Sequence, residues 1–324
     1  MKEFLIIAGY QGSGSIHTKS VEHFINEISF DFITDFIMDV TNDGDKASSL
    51  IEKTQLGEIH VSYLLSSYFE KILPEIKILD LPYLFNDRNE AYNFLKSNFF
   101  NYIDDKLKDK NLKLLGFWDN GIRHISSKVK LIKTLSDCKG QIIRTTPSPL
   151  HIEIFSKLGF IPKPLDVRDF KLAIEKNDID AQENPLTNYW NFGVYKKQEF
   201  ISLTSHIFGF CLFVINDDYF NKLSDLNKKF LINKSKETTK FQRRLAISED
   251  DILIKKIKSK NIKIENIDKD GLEDFKRATI YSSGCSWLSR FWRVVIICCR
   301  IFGCVKAYWK YRFYVGLRIW DHFK

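Results

Sequence analysis

The chain reads as an α/β protein. Strand-like apolar runs alternate with amphipathic helical spacing through residues 1–280, which favours parallel pairing with helical crossovers. Hydrophobic content of 44% with 28% charged residues is that of an ordinary soluble globular protein. At 324 residues there is enough chain for two domains. No internal repeat and no Gly/Ser-rich linker is visible, so two lobes would be joined by several ordered crossings, as in a hinged pair.

Taken in order, Phe4–Tyr10 predicts a strand, Gln11–Ser15 a Gly/Ser loop and Ile16–Ile28 a helix. Asp31–Val40 alternates as a strand, and Asp45–Leu56 is an amphipathic helix stopped by Gly57. Ile59–Leu64 is strand-like, Asn86–Lys108 carries helical spacing, and Leu112–Phe117 is a strand leading to a turn at Asp119-Asn120-Gly121. Residues 141–144 form a short strand, followed by helices at about 148–158 and 168–176. Leu226–Lys260 is a long, charged, amphipathic segment read as a surface helix.

The net charge of +8 is not spread evenly. Tyr281–Lys324 holds eight Lys/Arg and one acid, leaving 41 bases and 40 acids in residues 1–280, so the basic balance does not make the body a nucleic-acid binder. Cysteine divides at the same place: the body has only Cys138 and Cys211, too few for a dense disulfide framework. The tail's adjacent Cys298-Cys299 is poor zinc-ligand spacing. No signal peptide is recognised at the start, since Phe4–Ala8 is too short for an apolar core segment. No stretch reaches the roughly 20 apolar residues a spanning helix needs.

Arg144, in KGQIIRTTPSP, is the residue on which function turns. It ends an apolar strand with no acid nearby in sequence, and a guanidinium cannot shed its charge when taken out of water. Its partner is either an acid from elsewhere in the fold or a ligand carboxylate. Arg123 follows the expected turn, where a solvated arginine is the plain reading; His124 and Lys171 read equally well as surface residues. Asn184 precedes Pro185 and is expected to cap a helix N-terminus, a position that also suits an anion. Asp166 and Asp169 read as solvated helix-start acids. Gly9–Ser15 has neither the P-loop ending nor the dinucleotide glycine order, and reads as a loop at a strand end. No catalytic constellation, metal spacing or cofactor motif emerges.

Six stretches together resemble the dicarboxylate-binding subunit family of tripartite ATP-independent periplasmic (TRAP) transporters: QLGEIHV (55–61), PEIKILDLPYLFNDRNEAYNFL (74–95), GFWDNGIRH (116–124), KGQIIRTTPSP (139–149), LGFIPKP (158–164) and DAQENPL (180–186). The resemblance runs from about Phe4 to Thr279. It implies a two-lobed periplasmic-binding-protein-like fold with a hinge and a long helix touching both lobes. Lobe I would comprise 1–122 plus about 211–250, and lobe II 123–210 plus about 251–280. It implies that Arg144 forms a bidentate salt bridge to a small organic acid, that Arg123 is a second cationic contact and Asn184 a polar one. Ser15, His17 and Ser66 would line the opposing lobe, and Lys171 is a candidate for a second carboxylate. The family pattern departs at Ala181, Val167 and Lys171, where Gly, an aromatic and tyrosine are frequent.

The implied function is a non-enzymatic, monomeric, extracytoplasmic receptor that closes on its ligand and delivers it to integral-membrane transporter subunits. It needs no cofactor, metal or nucleic acid. The alternative is an α/β enzyme acting on a carboxylated metabolite, with the same arginines as substrate clamps. The abrupt change near Ile280 is read as a changed reading frame or truncated gene, leaving 281–324 outside the fold. A basic aromatic segment on a membrane surface is the other reading of that tail.

Overall fold

Residues 2–280 are described in a computed structural model of the chain, so the expectations for 281–324 fall outside the described residues. A nine-stranded sheet organises the chain, in the order β2-β1-β3-β8-β4-β7-β5-β6 with β9 also on β8. The first half runs β1 (Glu3–Ala8), α1 (Ile16–Ile28), β2 (Phe32–Ile37), α2 (Ser49–Leu56), β3 (Val61–Leu65), α3 (Arg88–Lys96), α4 (Asn98–Lys108) and β4 (Leu112–Ser127). The second runs α5 (Leu135–Cys138), β5 (Ile142–Thr145), α6 (Pro149–Lys157), β6 (Ile161–Pro164), α7 (Val167–Glu175), β7 (Ala181–Pro185) and α8 (Leu186–Asn191). The chain then returns through β8 (Phe200–Asn216), α9 (Asp217–Lys222), α10 (Asp225–Lys258), β9 (Lys263–Asn266) and α11 (Lys269–Ile280).

The parallel pairs β1–β2, β1–β3, β5–β6 and β5–β7 match the expected alternation. The crossings are β4 and β8, which pair antiparallel along nearly their whole length. β3 joins β8 at Cys211–Ile215, whereas β7 joins β4 at Arg123–Ser127, so each half of the sheet hangs on opposite ends of the same two strands.

The Asp119-Asn120-Gly121 sequence does not turn the chain. β4 continues through it with a register shift, because Gln242 of α10 bonds both the N–H and the carbonyl of Asp119 at 2.7 and 2.6 Å. Gly121 absorbs the irregularity at φ +102, and a Cβ there would meet Pro185 Cβ at 2.7 Å. The helical run 86–108 is two helices, since Ser97 is extended and caps α4 through its hydroxyl. β8 has no counterpart in the sequence reading: its run is buried on both faces and lacks alternation.

The 34-residue α10 spans both halves. Lys234 pairs with Glu27 of α1 at 2.7 Å, and Phe241 stacks on His23. Further along, Leu253 and Ile257 enter a second core cluster with Ile201, Ile262 and Tyr189. It is therefore more than a surface helix: one face is core for each half.

Candidate functional site

Arg144 sits on β5 with 1% exposure. Its Nε and Nη2 donate to the Leu165 carbonyl at 3.0 and 2.6 Å, and the guanidinium lies 4.4 Å over the Phe170 ring. Among the described residues no carboxylate comes within ion-pair distance of it. Burial works against its charged form, with the tyrosine and carboxylates around it compensating only in part. This planar fork of five N–H donors, held flat on an aromatic and bonded to one carbonyl, has no acid partner among the described residues.

Arg123 is different, and here the structure corrects the sequence reading. It is neither solvated nor a free second cation: it is fully buried and clasped by Glu183, Nε to Oε2 at 2.5 Å and Nη2 to Oε1 at 2.7 Å. Nη2 also reaches the Glu183 carbonyl at 2.9 Å and Asn184 Oδ1 at 3.3 Å. Asn184 is no helix cap. It lies inside β7, its amide donating to Gln182 Oε1, and Pro185 precedes the first turn of α8. His206 Nε2 stands 3.5 Å from Glu183, and His151 bridges Glu183 at 3.4 Å and Asp80 at 3.7 Å. Burial would raise the Glu183 carboxyl, but Arg123 and the histidines hold it well below the usual range.

The same arrangement acts on His151. Burial would lower its pKa, yet Asp80 and Glu183 outweigh this and lift it from 6.5 to about 9. A base whose folded pKa is raised stabilises fully below its unfolded value and loses that contribution as pH rises through the folded one. Stability of the chain is therefore expected to decline between pH 6.5 and about 9. His151→Gln should remove that decline in thermal melts; wild-type stability rising over this interval would contradict it. His17 and His124, lowered by burial to about 4 and about 3, act only on the acid side.

The remaining expected residues are placed as follows. Ser15 is buried, caps α1 at the His17 N–H (3.0 Å), and donates to Gln11. His17 is buried, with Nε2 3.0 Å from Asn120 Oδ1, its ring stacked on Tyr63 and Trp118, and Nδ1 without a partner. Ser66 donates to Asp80. Lys171 is occupied: its ammonium lies 2.8 Å from both Asp39 Oδ2 and Thr41 Oγ1, so the chain itself supplies its acid. His124 is buried rather than exposed, and accepts from the Ser205 N–H at 3.1 Å.

Sequence reasoning missed the acids that complete these contacts. Asp166 does start α7, accepting from the Arg168 N–H at 3.2 Å, but it is not solvated. It is buried, and its carboxylate accepts from the N–H groups of Ala47 (2.9 Å) and Ser48 (3.1 Å) across the two halves of the sheet. Arg168 adds a bond to the Gly44 carbonyl at 2.7 Å, and Ser148 one to Glu70 at 2.5 Å. Asp169 does behave as a surface acid, paired with Arg168. Glu183 does not stand out in the sequence, because DAQENPL reads as the approach to a helix cap, whereas Ala181–Pro185 is β7. Tyr68 gave no signal either. Its hydroxyl is buried beside the Val167 N–H, in the electrostatic field of Asp166, Arg144 and Arg123. Among the described residues there is no His/Cys/Asp/Glu cluster fit for a metal, and no helix long and apolar enough to cross a membrane. Cys138 and Cys211 are buried free thiols.

Two half-sheets joined by two long strands, a helix packed on both, and a buried guanidinium lacking an internal acid define a two-lobed solute receptor. Comparison with known proteins agrees. Residues 35–282 match the DctP model of bacterial extracellular solute-binding proteins, family 7, and the chain belongs to that family of TRAP periplasmic solute-binding proteins. It is a binding protein, not an enzyme, which removes the α/β enzyme alternative. The 2,3-diketo-L-gulonate-binding periplasmic protein YiaO of Escherichia coli K12 is 31% identical over 229 residues, 70% of each chain. The fold is that of the sugar acid binding protein DctPAm from Advenella mimigardefordensis, solved with galactonate: TM-score 0.87, 20% identity, covering 96% of this chain and 99% of that one. A TRAP periplasmic solute-binding protein from Sulfurospirillum deleyianum with bound succinate gives 0.83 at 21% identity, covering 93% and 100%.

Proposed function

We propose that this chain is an extracytoplasmic receptor whose Arg144 grips the carboxylate of a small organic acid, and that the loaded form is handed to integral-membrane TRAP subunits. The observation that carries this is the contrast between two buried arginines: Arg123 holds an internal acid and Arg144 holds none. The relatives support it, since their names specify a diketo-gulonate, and the structures hold galactonate and succinate. Arg123 contributes its one unpartnered group, Nη1, to the ligand, and Asn184 aligns it. Ser15, His17 and Ser66 shape the facing wall. The chain acts as a monomer in the periplasm, needing no cofactor or nucleic acid.

Closure is the mechanism: a ligand that bonds both lobes favours the closed state by its differential affinity. Lobe I is residues 1–122 plus about 211–250, and lobe II 123–210 plus about 251–280, with α10 continuous through the second boundary. In this reading Lys171 works on closure, by pairing with Asp39, rather than on the ligand. The pair is partly exposed, so Lys171→Met is expected to cost about 0.2–1 kcal/mol of closed state. Titrations should show affinity weakened up to about fivefold, with the difference shrinking at high salt. An unchanged affinity at low salt would remove Lys171 from the closure step.

Calorimetry of the full chain against a panel of organic acids tests the function. The expected result is one acid bound per chain, recovered chemically unchanged, and raising stability by about 2.7 kcal/mol at a hundred times its Kd. Failure of every acid to bind would overturn the proposal.

A further inference from the structure

We propose that the ligand is a hydroxylated monocarboxylate of the aldonate type, and that dicarboxylates are disfavoured. The inference rests on the carboxylate-receptor reading and concerns the number of charges the site accepts. The other buried cations near it, and Lys171, are already matched: Arg123 by Glu183, His151 by Asp80 and Glu183, Lys171 by Asp39. Asp166 is a further buried acid and lies in the field of Arg144 itself, while Glu70, also buried, stands 3.7 Å from Lys77. One ligand carboxylate neutralises Arg144. A second would enter a low-dielectric region with no unmatched buried cation among the described residues, near carboxylates that repel it.

What the region does offer beyond Arg144 is hydrogen-bonding capacity without net charge. Arg123 Nη1, Ser67 Oγ and Thr146 Oγ1 are buried and make no hydrogen bond within the chain, and Tyr68 Oη, beside the Val167 N–H, keeps its own proton to donate. Ser67 and Tyr68 follow directly on β3, and Thr146 stands two residues beyond Arg144 after β5, so the four come from both halves of the sheet. Burial keeps the Tyr68 phenol protonated and able to donate. Three hydroxyls that both donate and accept, with a guanidinium N–H whose charge is spent on Glu183, suit alcohol groups along a ligand chain. Leaving them against methylene groups would strand them.

Matched acids decide the question, by calorimetry on the full chain. Gluconate and glucarate have the same six-carbon chain and differ only in a terminal hydroxymethyl or carboxylate; erythronate and tartrate form the four-carbon pair. The expected result is that the better-bound monocarboxylate exceeds its dicarboxylate partner at least tenfold, and exceeds hexanoate or butyrate of the same length at least tenfold. Glucarate, tartrate or succinate binding as tightly as the best monocarboxylate would overturn the charge limit while leaving the receptor reading intact. Hexanoate or butyrate matching its hydroxylated counterpart would overturn the hydroxyl requirement. If no acid of either kind bound, this inference would fall together with the receptor reading.

Discussion

Arg144→Ala is expected to weaken organic-acid binding by about 30-fold to several thousand-fold, from the ~2–5 kcal/mol lost when one partner of a buried charge pair is truncated. The ligand carboxylate would be buried against Phe170 and Leu165 with no cation to receive it. The unliganded protein should respond far less. Arg144 has no internal acid, and burial opposes its charge, so alanine relieves a desolvated cation and costs only the Leu165 bonds and the stacking on Phe170. Melting without ligand is therefore expected to be little changed, while ligand-induced stabilisation is lost. Arg144→Lys should bind weakly too, since a single ammonium cannot present two parallel donors. Calorimetry and melting on the same samples check both halves, and unchanged affinity in the alanine variant would remove Arg144 from the site.

Glu183→Gln produces the largest expected loss of stability, about 3–5 kcal/mol, because it leaves the fully buried Arg123 without its acid. The glutamine can still meet some of the hydrogen bonds, so the loss reports charge more than shape. It also withdraws the acid shared by His151 and His206, whose contacts to Glu183 are 3.4 and 3.5 Å. Arg123→Met combined with Glu183→Leu should recover much of the loss, since replacing both members of a buried pair by apolar groups is often neutral or stabilising. Urea unfolding of the unaltered chain and the two variants gives the comparison. A loss below about 1 kcal/mol for Glu183→Gln would mean that the pair is solvated like a surface bridge.

The expected strand–helix alternation is found in the β1, β2, β3 and β5 units because each carries its own local pattern. What was not legible depends on distant contacts. Asp119-Asn120-Gly121 spells a turn, and contacts distant in sequence, with Gln242 and with β8, hold it in a strand. β8 is covered on both sides and so shows no alternation. At the site, Arg144 could be singled out because an isolated cation on an apolar strand is anomalous by itself. Whether Arg123 or Lys171 shared its role was undecidable in sequence: their acids, Glu183 and Asp39, lie 60 and 132 residues away. The resemblance to the TRAP receptors implies Arg123 and Asn184 as ligand contacts, but the charge balance that separates one arginine from the other belongs to the folded chain.

The most direct measurement is a crystal structure of the full chain grown with its tightest-binding organic acid. The account predicts one ligand carboxylate oxygen or both within hydrogen-bond distance of the Arg144 guanidinium, with the Arg123–Glu183 pair intact beside it. A ligand whose carboxylate is held elsewhere, with Arg144 bonded only to Leu165, would contradict it.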